Sequence, residues 1–283
     1  MTRRERLRAI LAGGECIHPG SVFDPVSARI AEDLGFELGM FAGSTASLAI
    51  LGAPDAILIT LTEFAEQCRR ICRAGSLPLL VDADHGYGNA LNAMRTVQEM
   101  EAAGVAGLTI EDTDLPRPFG DGAPRVLPIA EGVGKIRAAL SARRDPDLVI
   151  VGRTSAMAIT GADDAVRRAK AYADAGVDAL FFTGITASAQ LHAVRAVTGL
   201  PIILGGAGDP FAGKPELAAL GVRIALQGHQ PIMAGFQAVY ETLKALREGV
   251  APKALTGVPT AEFMRRVTRE AAVSAATTEF LDD

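Results

Sequence analysis

One stretch of the chain has residue types spaced for chemistry: Val81-Asp82-Ala83-Asp84-His85-Gly86-Tyr87-Gly88-Asn89. The apolar run 78–81 reads as a buried strand, and two carboxylates follow, one residue apart, as it ends. Alternate residues of an extended chain share a face, so Asp82 and Asp84 point the same way. Two anions so placed repel unless a proton or cation lies between them, and hard oxygen donors of this kind suit Mg²⁺ or Mn²⁺. The plainer alternative is a capped turn with solvated aspartates. Gly86 and Gly88 permit the sharp turn, and Asn89 can cap a helix starting near residue 90.

Such groups need a scaffold. Apolar strand runs at 16–20, 38–42, 78–81, 107–110, 148–151, 179–182, 201–204 and 222–226 alternate with amphipathic helical stretches, of which the last spans 231–247. The alternation implies parallel strands with crossover helices. Eight such units closing on themselves make an α/β fold of the (β/α)8 TIM barrel type, with a doubly wound open sheet as the alternative. Extra helices are expected at both termini, over 3–11 and 261–276. Residues 1–248 are read as the barrel catalytic domain and 249–283 as a helical tail packing on the barrel or a neighbouring subunit. Residues 113–128, with four prolines, two glycines and no periodicity, are too long for an ordinary connection and read as a lid.

In such a barrel, chemistry gathers where strands end at their C-termini. Those ends carry Ser44, Thr45 and Ser47, then Asp82 and Asp84, Glu111 and Asp112, Arg153, Gly205 to Gly208, and Gln227 and His229. Jointly they resemble a divalent-cation site beside an anion-binding arginine. His18 could face the same mouth, His85 reads as packed in its turn, and His192 as a surface residue. The stretch Gly208 to Lys214 matches most of a phosphate-binding P-loop, but Pro215 stands where a Ser or Thr should hold Mg²⁺. The glycines from Gly205 to Gly208 could still offer backbone N–H groups to a phosphate.

Hydrophobic residues make up 49% of the 283 and aromatic residues only 5%, a globular composition that can bury a full core. The net charge of −5 argues against nucleic acid or an anionic membrane as the main partner. No apolar run approaches the ~18 residues of a membrane span. Three cysteines, Cys16, Cys68 and Cys72, point to a reducing compartment, with the cytoplasm as the default; Cys68 and Cys72 read as small core residues.

At five stretches the sequence resembles the phosphoenolpyruvate mutase/isocitrate lyase superfamily. They are Ser21 to Ala28, Gly43 to Ser47, Asp82 to Gly88, Thr109 to Asp112 and Gly152 to Thr154. Asp82 to Asn92, Gly132 to Leu140 and Gly228-His229 look most like its oxaloacetate decarboxylase branch. The resemblance implies Mg²⁺-dependent decarboxylation of oxaloacetate to pyruvate and CO₂ through a metal-stabilised enolate, in a homotetramer that exchanges its eighth helix. By the same resemblance Asp82 would bind Mg²⁺ (or Mn²⁺) directly, and Asp55, Asp84 and Glu111 would hold it through waters. Ser44, Thr45 and Arg153 would grip a small α-keto acid, and His229 would approach from the strand-eight side. Lyases of the superfamily carry a cysteine in the lid; residues 116–128 have no cysteine and no histidine. A tyrosine expected after the seventh strand is replaced by Gly205-Gly206-Ala207-Gly208. Alternatives are a lyase or hydrolase acting on phosphonopyruvate or a substituted malate or isocitrate, and a barrel that binds an α-keto acid without turnover.

Overall fold

The structure is a computed structural model that describes residues 1–120, 122–206 and 213–282. Its chain alternates β1 (Gly20–Ser21), α2 (Pro25–Asp33), β2 (Gly39–Phe41), α4 (Leu61–Cys72), β3 (Leu79–Asp82), α5 (Ala90–Ala103), β4 (Gly107–Glu111), α6 (Ile129–Ala142), β5 (Val149–Thr154), α8 (Ala162–Ala175), β6 (Ala179–Thr183), α9 (Ser188–Arg195), β7 (Ile202–Gly205), α10 (Lys214–Ala219) and β8 (Val222–Ala225). A leading α1 (Arg3–Ala12) and two short helices, α3 (Gly43–Ala46) after β2 and α7 (Ala156–Ile159) after β5, complete this part. All eight strands pair in parallel in chain order. Ile17 closes the ring: its N–H donates to Arg223 O at 2.9 Å, and Ala225 N donates to Ile17 O at 2.9 Å. The (β/α)8 barrel expected from the alternation is the observed fold, and the open sheet is excluded.

Local chemistry explains the helix boundaries. Asp24 caps α2 through Ser27 N, with Pro25 in the first turn. Asn89 caps α5 through Leu91 N and Asn92 N, while Gly104 and Gly176 end α5 and α8 in the left-handed conformation.

Strand parity decides what reaches the mouth. Leu80, Val149, Val151, Phe181 and Ile203 pack with Leu7 and Leu11 of α1 in the barrel interior. Leu108, Ile110 and Ile150 belong instead to the layer between sheet and helices. With a period of two, the interior face therefore runs on to Asp82, Thr109, Glu111 and Arg153, whereas Asp112 turns outward. The basic N-terminus has a structural role at the opposite end: Arg8 bonds Pro146 O at 2.6 Å and Asp178 Oδ1 at 3.1 Å, and Arg4 Nε bonds Val105 O at 3.1 Å.

Two compact units result, Met1–Gly228 and His229–Asp283. This division falls after Gly228, so the helix expected to complete the barrel begins the second unit. That unit holds α11 (Gln230–Arg247), α12 (Ala261–Thr268) and α13 (Glu270–Phe280). The single tail helix expected over 261–276 is two, because Arg269 adopts a left-handed φ of 60° between them. Along α11, Met233, Phe236, Val239, Tyr240, Leu243 and Leu246 are exposed. No helix among the described residues is long and apolar enough to cross a membrane.

Candidate active site

β3, β4 and β5 deliver the central groups. Asp82 ends β3 beside Thr109 in register, and Glu111 ends β4 beside Arg153. Asp82 Oδ1 accepts from Thr109 Oγ1 at 2.7 Å and from Asp84 N at 3.3 Å, and its Oδ2 accepts from Arg153 Nη1. Arg153 Nε lies 3.7 Å from Glu111 Oε2 without forming a hydrogen bond, and its guanidinium stacks 5.2 Å from the Phe181 ring centroid. Thr113 Oγ1 donates to Glu111 Oε2 at 2.5 Å.

Asp84 departs from simple alternation. Its φ of 46° is left-handed, so the chain has already turned where the strand pattern would extend it. Its side chain still meets the others because Gly43, at the start of α3, has no Cβ; one built there would stand 2.5 Å from Asp84 Oδ2 and 2.6 Å from Oδ1.

The electrostatics follow from crowding. Burial, then the charges of Asp82 and Glu111, pushes Asp84 well above the usual carboxylate range, against the pull of Arg153. Burial also raises Glu111, opposed chiefly by Arg153. Burial works against the Arg153 cation, but Asp82 and Glu111 outweigh it and hold the proton more firmly than usual. Asp55 lies on an exposed segment and adds to the negative field at Asp84.

The remaining expected residues fall out differently. Ser44 is half-buried in α3. Thr45 is fully buried, and its hydroxyl donates to Ala42 O at 2.8 Å and accepts from Ala42 N at 3.2 Å, which spends its proton within the turn. His229 stands at the N-terminus of α11 in the second unit. His18 Nδ1 lies 2.7 Å from Ala225 O, beside the closing bridge of the barrel. His85 is buried near Tyr87, and burial, followed by the Lys135 charge, lowers its pKa to about 4, so the ring stays neutral. His192 is exposed, as read. Ala207, Gly208 and most of the P-loop-like stretch lie outside the described residues.

Sequence reasoning gave no role to Gly43, Thr109, Thr113, Lys135 or Phe181. Thr109 and Phe181 could have been found by extending strand alternation, since both share a face with residues already singled out. Gly43 and Lys135 carry no such signal; their importance lies in what the fold brings against them.

Three acidic side chains around one guanidinium leave an excess of negative charge, and their oxygens are the donors that Mg²⁺ or Mn²⁺ prefers. Among the described residues no three of His, Cys, Asp or Glu converge tightly enough to bind one ion directly. The donor set is of the hard-oxygen kind that suits a divalent cation such as Mg²⁺ or Mn²⁺.

The family model described as phosphoenolpyruvate phosphomutase matches residues 7–247. An oxaloacetate decarboxylase of Bradyrhizobium sp. (strain BTAi1 / ATCC BAA-1182) is 65% identical over 271 residues, covering 96% of this chain and 94% of that one. One from Rhodopseudomonas palustris (strain BisB18) is 62% identical over 280 residues, covering 99% and 97%. Among solved structures, phosphonopyruvate hydrolase complexed with oxalate and Mg²⁺ superposes with a TM-score of 0.87 at 30% identity, covering 99% of this chain and 100% of that one. Oxaloacetate acetylhydrolase does so with a TM-score of 0.86 at 27% identity, covering 99% of each.

Proposed function

The chain belongs to the phosphoenolpyruvate phosphomutase family, and from that premise we propose that it decarboxylates oxaloacetate to pyruvate and CO₂ with Mg²⁺ or Mn²⁺ as cofactor. The observation that carries the reading is Arg153, a guanidinium held between Asp82 and Glu111 at the strand ends, in a chain 60–65% identical to oxaloacetate decarboxylases over nearly its whole length.

Asp82 would hold the ion directly, with Asp84, Glu111 and Asp55 bonding its waters. When bound, the ion supplies Lewis acidity to a keto oxygen, stabilising negative charge as it develops there. Arg153 binds the substrate carboxylate adjacent to the keto group through its planar fork, a geometry that a lysine lacks. To do so its Nη1 would share or release Asp82. Phe181 fixes the plane of the guanidinium from below, and Ser44 lines the β2 side, whereas the buried Thr45 holds the turn that carries it. Thr109 keeps Asp82 turned toward the mouth, and Thr113 does the same for Glu111. The bond between the distal carboxylate and its carbon then breaks, CO₂ leaves, and its electron pair passes into the enolate of pyruvate. A proton added at carbon completes the product. His229, placed just beyond β8 in the chain, is proposed as that donor. No thiol is required, in keeping with a lid segment that lacks cysteine.

The test is CO₂ release from oxaloacetate with Mg²⁺, measured against free metal, alongside phosphonopyruvate and substituted malates. A rate no better than free metal, or preferential turnover of phosphonopyruvate, overturns the assignment. The homotetramer remains part of the proposal, supported by the exposed apolar stripe of α11, and light scattering decides it. Cytoplasmic residence is likewise proposed, supported by three free, buried cysteines.

A further inference from the structure

Lys135 lies on α6, outside the barrel wall, and is only 2% exposed. Lysines are almost never so buried without a charge to answer. Together with Glu111, Asp112, Arg153 and Tyr172 it lines a space too tight for a water molecule. Among the described residues no hydrogen bond or ion pair ties down its ammonium. Burial lowers its pKa, while Glu131, Glu111, Asp112 and Asp114 favour the charged form. The result is a fixed positive charge behind Glu111 whose influence is a field and not a contact.

We propose that Lys135 is a positioning residue that sets the charge balance of the site, weakening its hold on a free divalent cation and strengthening its hold on a dianionic keto acid. The inference rests on the functional reading above. It follows from the sign of the charge. The carboxylates that attract a dication also repel oxaloacetate, and Arg153 alone is already matched by Asp82. A second cation on the far side of Glu111 shifts the balance toward the anion without occupying the mouth. A methionine at this position keeps the length of the side chain and removes only the charge.

The experiment measures Mn²⁺ binding to the full chain by electron paramagnetic resonance, then oxalate binding at saturating Mn²⁺ by calorimetry, for the wild type, Lys135→Met, Lys135→Gln and Lys135→Arg. Removing the charge tightens Mn²⁺ and weakens oxalate, each on the order of tenfold, so that the product of the two dissociation constants stays near the wild-type value. Lys135→Arg restores both. Gln offers a polar replacement if Met unfolds the protein. A purely structural lysine would lose both affinities on substitution, and an irrelevant one would change neither; either outcome overturns the proposal. If oxalate fails to bind wild-type protein in a metal-dependent way, the functional reading itself has failed, which is a different result.

Discussion

Gly43→Ala adds one methyl group against Asp84, and its consequences can be worked from distances. The new Cβ would stand 2.5 Å from one carboxylate oxygen and 2.6 Å from the other, where real contacts stay above 3.0 Å, so the carboxylate must retreat by about 0.5 Å. Asp84 has little room to do so. Its backbone is fixed in the left-handed region, its carbonyl accepts from Glu111 N at 2.8 Å, and the residue is buried. Overpacking of this kind costs about 1–3 kcal/mol of stability. Displacing a group that holds the reacting partners costs more in rate than in stability, roughly 10²-fold for a shift approaching 1 Å. Gly134→Ala serves as the internal control, because a Cβ there meets nothing within 4 Å in the middle of α6. It should stabilise by about 0.5–1 kcal/mol and leave activity alone. The assays are urea unfolding, Mg²⁺-dependent oxalate binding and steady-state decarboxylation. Wild-type turnover and oxalate affinity in Gly43→Ala would refute the argument that the mouth depends on where Asp84 is held.

Three further outcomes are expected. Arg153→Lys keeps the charge but loses the fork and the stack on Phe181, so kcat/KM on oxaloacetate should fall roughly 10²–10³-fold while the folded state persists; near-normal kinetics would remove Arg153 from substrate recognition. Tyr172→Phe deletes the hydroxyl that donates to Asp112 Oδ2 at 2.5 Å, and should cost about 1.5–3 kcal/mol in urea unfolding. Burial opposes the Asp164 charge, but Arg168 and Thr160 override it and hold its pKa below the usual carboxylate value. A depressed folded pKa gives stability that is present above about 3.8 and lost as pH falls through the lowered value, so Asp164→Asn should lower stability at neutral pH and flatten the acid limb of a melting-temperature profile.

The barrel was legible because its signal is periodic and repeated eight times, and α5 begins where Asn89 said it should. Asp82, Glu111 and Arg153 were legible for the same reason: each is the first charged residue after an apolar run, and strand ends are where this fold places chemistry. The sequence was less informative where the chain leaves regular geometry. The polar residues after the second strand fold into a short helix, and the hydroxyl of Thr45 is spent capping it. Lys135 stayed hidden because an amphipathic-helix reading places a lysine in solvent by default. Only the three-dimensional neighbourhood of Glu111, Asp112, Arg153 and Tyr172 marks it as buried.

The pair Glu111-Asp112 brings these points together. Consecutive residues at a strand end face opposite ways, so one carboxylate enters the mouth and its neighbour enters the layer of helices behind. Asp112 there accepts from Tyr172 and from Arg168 Nη1 at 2.9 Å, and the same Arg168 nitrogen donates to Leu127 O at 2.8 Å. Leu127 N returns a bond to Asp112 O at 2.7 Å, Asp114 N bonds Arg125 O, and Thr113 pairs with Val126. The two ends of the long proline-rich loop are thus fastened together just beyond β4, and Thr113 carries that fastening directly to Glu111. If Glu111 serves the site as proposed, a substitution that loosens the outer network, at Arg168 or Tyr172, would act through the orientation of Glu111 without touching substrate. The outward carboxylate anchors the loop so that the inward one can stay where the chemistry needs it.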